Sequence, residues 1–144
     1  MKIRIGFISN SSSSSFIIVS RKEIDELTKE EKMRVFNIDA SSPVSWMADV
    51  IFQTIENKIH MVHDFEDWAS NRYWGSTQSN PNWVQECLEE FEGAKEVKEF
   101  LDKGYHVYTG EFENNYENPI ENYFSKHDLN FENEDLKIWH QGGY

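Results

Sequence analysis

Hydrophobic and polar residues follow two distinct rhythms along this chain. Ile3, Ile5 and Phe7 alternate with Lys2, Arg4 and Gly6, which is the period of a strand, and Phe16-Ile17-Ile18-Val19 is an unbroken apolar run of the kind that fills a central strand. Between them lie Ser9, Asn10 and the serines Ser11, Ser12, Ser13, Ser14 and Ser15. The opening therefore reads as a strand, a polar loop and a second strand paired as a hairpin. The rhythm then changes to that of helices. Ser20…Glu23 and Thr28…Glu31 both have the capping-box form, which predicts a helical turn and then a helix near 29–36, with Ile24, Leu27, Met33 and Phe36 towards the sheet. Ser42-Pro43 predicts the start of a long helix running to about Lys58. Val44, Met47, Ala48, Ile51, Phe52, Ile55 and Ile59 form its apolar stripe, widened by Trp46 and Val50, so this helix is expected to be the best buried of all.

Ile59 to His63 suits either the end of that helix or a short strand, and Asp64 to Ser70 one further helical turn. Asn71 to Asn80 reads as a loop, and Asn80-Pro81 repeats the cap-and-proline start. Trp83, Val84, Cys87, Leu88 and Phe91 make the next stripe, Gly93 interrupts it, and a helix over 94–102 ends at Lys103-Gly104. Tyr105 to Phe112 alternates as a strand, with Tyr105, Val107 and Thr109 on one face and His106 and Tyr108 on the other. Pro119 opens a short helix through Phe124, and Leu136 to His140 forms a last strand. Strands near both chain ends with helices between them imply one α+β domain over residues 1–144, with a mainly antiparallel sheet of about four strands covered by the central helices.

Composition bounds what such a domain can be. A chain of 144 residues can bury roughly 68–70% of its unfolded surface, and an aromatic content of 15% supplies the core. The single cysteine, Cys87, has no intramolecular partner and falls on an apolar helix face, which suits a buried thiol in a reducing cytoplasm. No apolar run approaches the ~18 residues of a membrane span, and no membrane partner is expected. The net charge of −12 is uneven: residues 1–80 carry 9 basic against 11 acidic side chains, and residues 81–144 carry 5 against 15. Such a surface repels nucleic-acid phosphates and suits a basic protein.

Three groups of residues carry candidate chemistry. The serine run from Ser9 to Ser15 offers consecutive hydroxyls and backbone N–H groups for a phosphate or carboxylate, although it lacks the glycine spacing and lysine of a P-loop and any base to activate a serine. A plain flexible hairpin loop is the competing reading. Its flanks, Met1-Lys2-Ile3-Arg4-x-Gly6-Phe7-Ile8-Ser9-Asn10, the five serines and Phe16, resemble the opening of uncharacterised proteins encoded by bacteriophages and bacteria over about the first nineteen residues. That resemblance implies a phage or mobile-element origin, hence a host bacterial cytoplasm, and carries no activity.

His60 and His63, three apart, would share one face of a helix and offer weak metal ligands, without a His-Glu-x-x-His form or a second cysteine. His106, His127 and His140 are scattered and read as structural or exposed. No cofactor and no catalytic residue is assigned. Glu86, Glu89, Glu90, Glu92, Glu96, Glu99 and Asp102 recur along two successive helices and predict a negative stripe, with Tyr73, Trp74, Tyr116 and Tyr144 as aromatic anchors. These residues point to a small interaction protein that binds a basic host protein, as an inhibitor or nucleic-acid mimic. The alternative is a phosphate- or nucleotide-binding protein or transferase-like enzyme built on the serine loop.

Overall fold

Phe16, Ile17, Ile18 and Val19 are each no more than 1% exposed, because their strand is covered on both faces and paired on both edges. In the computed structural model, which describes residues 13–71, 79–91, 93–113 and 117–140, this strand is β1 (Ser13–Ser20). It is the middle of a five-stranded antiparallel sheet of order β2-β3-β1-β5-β4, with β2 at Ile59–Val62, β3 at His106–Glu113, β4 at Leu129–Glu132 and β5 at Leu136–His140. From Phe16 to Ser20 one edge of β1 pairs with β3 and the other with β5. The hairpin expected between Ile3–Phe7 and Phe16–Val19 therefore does not form along these residues, both edges being taken by strands from the far end of the chain. Residues 3–7 themselves lie outside the described residues.

Alternation along β1 divides the interior into two cores. Ile17 and Val19 pack with Val107 and Trp139 beneath α3 (Phe65–Ser70), α4 (Trp83–Glu90) and α5 (Ala94–Asp102). Phe16 and Ile18 pack with Tyr108, Phe112 and Ile138 beneath α1 (Lys29–Val35), α2 (Met47–Glu56), α6 (Pro119–Phe124) and a 3-10 turn at Ile24–Glu26. The fold is thus α+β in three layers, with helices on both faces of the sheet.

Local chemistry accounts for most element boundaries. Thr28 accepts from the Glu31 N–H at 3.2 Å while Glu31 accepts from the Thr28 N–H at 3.1 Å, the reciprocal box that opens α1. Thr28→Ala should lower stability by about 1 kcal/mol in urea unfolding, as the loss of a cap does; a change below a third of that would show that α1 is held by packing alone. The second expected box does not form, since Ser20 Oγ accepts instead from the Lys22 N–H at 3.2 Å. Gly93 (φ 82°) turns the chain from α4 into α5, and Gly104 (φ 84°) ends α5 in a Schellman motif, with Tyr105 N–H on the Phe100 carbonyl and Gly104 N–H on that of Leu101.

One helix start departs from expectation, and one open alternative is decided. Residues 42–46 form successive turns, with the Ser42 hydroxyl accepting from the Val44 N–H at 3.3 Å, and α2 begins only at Met47. Ile59 to Val62 takes the strand alternative as β2, an edge of the sheet, and β4 is a second edge with no expected counterpart, so the described residues hold five strands. Gly110 in β3 is where the α2–β2 turn comes close: a Cβ there would run into the Lys58 carbonyl oxygen and the Phe16 ring.

Candidate acidic interface

α4 presents its acids as a compact group. Cys87 is 1% exposed and points to the core with Val84 and Leu88, so Glu86, Glu89 and Glu90, spaced i, i+3 and i+4, lie together towards the other side. Glu89 accepts from Gln85 Nε2 at 3.1 Å, and no cation among the described residues pairs with any of the three. Burial pushes the Cys87 thiol up, and the Glu86 and Glu90 carboxylates push it further, so it stays protonated at neutral pH.

α5 differs. Lys103 Nζ meets Glu99 at 2.7 Å, which raises the lysine pKa, and Lys98 Nζ meets Asp102 at the same distance. Both are exposed i,i+4 pairs, worth little to stability, but they neutralise two of the three α5 acids in what the sequence reads as one continuous stripe. Glu96, half-buried, is the α5 acid left without an ion pair among the described residues. The negative surface therefore centres on α4. Glu92, Tyr73, Trp74, Tyr116 and Tyr144 lie outside the described residues.

The serine run is divided. Ser9, Asn10, Ser11 and Ser12 lie outside the described residues, whereas Ser13, Ser14 and Ser15 are strand and not loop, in register with Glu113, Phe112 and Glu111 of β3. Glu111 is thus set directly across from Ser15, the wrong sign for an anion at that point, since cross-strand partners lie about 5 Å apart. His60 lies in β2 and His63 just past its end, so the helical face on which the two would sit together is not formed there. Both are exposed, and the His63 N–H is bonded to Asp67 Oδ2 at 3.0 Å. Glu23, Asp25 and Glu26 bring carboxylate oxygens within 4.8 Å of one another on the exposed 3-10 turn, a cluster of a kind common without a metal.

Other polar and apolar groups stand where pattern reading does not put them. Glu121, at the third position of α6, is 1% exposed; its Oε1 accepts from the Glu113 N–H at 3.0 Å and pairs with Lys58 Nζ at 3.2 Å. His140 is 2% exposed among the rings of Phe16, Phe112 and Phe124, and burial pulls its pKa down to about 4. Val44, Trp46, Met47 and Val50, expected in the core, are exposed, because the sheet takes only the Ala48, Phe52 and Ile55 side of α2. A charge-free helix face was the available sign of that exposed patch. No helix among the described residues is long and apolar enough to cross a membrane. Compared with family models, curated proteins and solved structures, the chain matches none.

Proposed function

We propose that this protein is an interaction protein that binds a partner with a basic surface through the outer side of α4, with Glu86, Glu89 and Glu90 as the contact acids and Glu96 of α5 as a further candidate. The observation that supports this most is the contrast between the two helices: the α4 carboxylates have no ion pair among the described residues, whereas Glu99 and Asp102 are each held by a lysine one turn away. Carboxylates without an ion pair among the described residues keep more of their field for an incoming cation and raise association rates with an oppositely charged surface. The resemblance of the chain's opening to phage and bacterial proteins makes a host protein the natural partner, and blocking access of nucleic acid to that partner the natural consequence.

Charge reversal separates the helices. The tagged chain is used to capture partners from nuclease-treated bacterial lysate over a salt series. The triple change Glu86→Lys, Glu89→Lys and Glu90→Lys should reduce capture at least tenfold and flatten its salt dependence, with helical circular dichroism unchanged. Glu99→Lys with Asp102→Lys should reduce it by no more than about twofold, as rim charges already engaged contribute little. Unaltered capture by the triple variant would remove the proposal.

A further inference from the structure

Between α1 and the turn that follows it lies a hollow of about 340 Å³, lined by Glu30, Met33, Arg34, Asn37, Ile38 and Asp39 among others. Its frame is fixed by backbone bonds. α1 ends in a Schellman motif, with the Ile38 N–H on the Met33 carbonyl at 2.9 Å and the Asn37 N–H on that of Arg34 at 3.1 Å. Asn37 takes the left-handed conformation (φ 54°) that this motif requires. The next turn is closed by Asp39, whose Oδ1 accepts from both the N–H and the hydroxyl of Ser41 at 3.0 Å. Buried Met33 and half-buried Ile38 give the hollow its apolar part. The charges around it do not neutralise one another. Glu30 and Arg34 stand one turn apart in the order that favours an i,i+4 pair, yet no ion pair joins them, and neither side chain has a partner among the described residues. The exposed α5 pairs, at the same spacing, close to 2.7 Å. Asp39 Oδ2 is likewise without a partner among the described residues, and the bonds from Ser41 hold this carboxyl below its usual range, so it is ionised at neutral pH.

We propose that this hollow binds a free α-amino acid with an apolar side chain. Arg34 and the Asn37 amide take its carboxylate, Glu30 and Asp39 take its ammonium, and Met33 and Ile38 receive its side chain. A guanidinium matches a carboxylate through two parallel N–H bonds, and an ammonium with three protons is best met by acceptors from more than one residue. A simple anion would be repelled by two carboxylates, and a simple amine would leave the guanidinium without a counter-charge. A ligand that carries both charges satisfies all three groups. The volume stands at the lower end of the range of small-molecule sites, which suits a ligand of this size. α1 lies over the Phe16 and Ile18 side of the sheet and α4 over the Ile17 and Val19 side, so this site is separate from the acidic interface.

Titration of the full isotope-labelled chain with L-methionine and with L-leucine, each to about 20 mM, tests this by NMR. The expected result is saturable shifts centred on the backbone amides of residues 30–40. Methioninamide, which lacks the carboxylate, and N-acetylmethionine, which lacks the ammonium, should each bind about tenfold more weakly or worse, because each leaves a charged group of the site without its partner. Arg34→Gln and Asp39→Asn should cost methionine binding about the same factor. Circular dichroism should not change, since both positions are exposed and an asparagine oxygen can still accept from Ser41. Charge reversal of Glu86, Glu89 and Glu90 should leave methionine binding intact, so the two proposals fail separately. A chain that gives no saturable shift with either amino acid would overturn the proposal. So would methioninamide binding as tightly as methionine, which would make the hollow an amine site, or binding indifferent to both Arg34→Gln and Asp39→Asn.

Discussion

Glu121→Ala is expected to cost about 3 kcal/mol in urea unfolding, more than any surface change in this protein. The carboxylate is 1% exposed and satisfies two groups at once, the Glu113 N–H at the end of β3 and the Lys58 ammonium in the α2–β2 turn. Removing it leaves a backbone donor without its acceptor and a half-buried cation without its counter-charge, and each of these omissions is costly. Glu121→Gln keeps an acceptor for Glu113 and loses only the charge, so it should recover roughly half of the loss. Lys58→Met paired with Glu121→Gln in a double-mutant cycle should show a coupling on the order of 1 kcal/mol, because the lysine side chain remains 35% exposed and partly screened. If Gln proves as damaging as Ala, or Ala costs under 1 kcal/mol, the carboxylate is not what joins α6 to the sheet.

Acid should weaken the wild-type fold between pH 6.5 and 4, and His140→Phe should remove much of that loss. Burial among three phenylalanine rings holds native His140 neutral, with its pKa lowered to about 4 from 6.5. The unfolded chain takes up a proton below pH 6.5 and the native chain does not, so the stabilisation is complete above 6.5 and is lost as pH falls towards 4. The slope is about 1.4 kcal/mol per pH unit, for a total of about 3 kcal/mol. The Asp128 carboxylate and the His127 backbone oppose burial and favour the charged form, so about 4 is what remains once they have offset part of the burial effect. Glu31 and Asp39 also have lowered pKa values and destabilise in acid, but their contribution falls below pH 4.5, so the window from 6.5 to 5 isolates the histidine. Urea midpoints of wild type and His140→Phe across that window decide the matter; parallel curves would assign the acid sensitivity to another group.

Where the chain carries its own punctuation, the fold is legible at residue level. Gly93, Gly104 and Asn118-Pro119 delimit α5 and α6 at the expected residues, because a left-handed glycine or a proline at a first helical position acts through its immediate neighbours. The same holds for Leu136 to His140 and for the faces of β3, where Val107 and Tyr108 enter opposite cores. Ser42-Pro43 carries the same kind of signal and misleads, since the serine hydroxyl closes a turn two residues on and the helix waits until Met47. For the candidate site, the clustering of acids on α4 follows from spacing alone. The pairing of Asp102 with Lys98 and of Glu99 with Lys103 follows from the same i,i+4 spacing, whereas the lack of any cation from elsewhere among the described residues beside the α4 acids does not.

By itself the sequence determined the alternating and helical segments, the two-sided burial of Phe16 to Val19, the inert Cys87 and the concentration of negative charge after residue 80. All of these depend on a residue and its near neighbours. Only the tertiary structure decided that β3 and β5 flank β1, that Ser15 faces Glu111, that Glu121 and His140 are buried, and that one apolar side of α2 is left outside. Strand pairing and burial are set by contacts between residues far apart in the chain, where the gain from closing both edges of a central strand outweighs the proximity of any local partner.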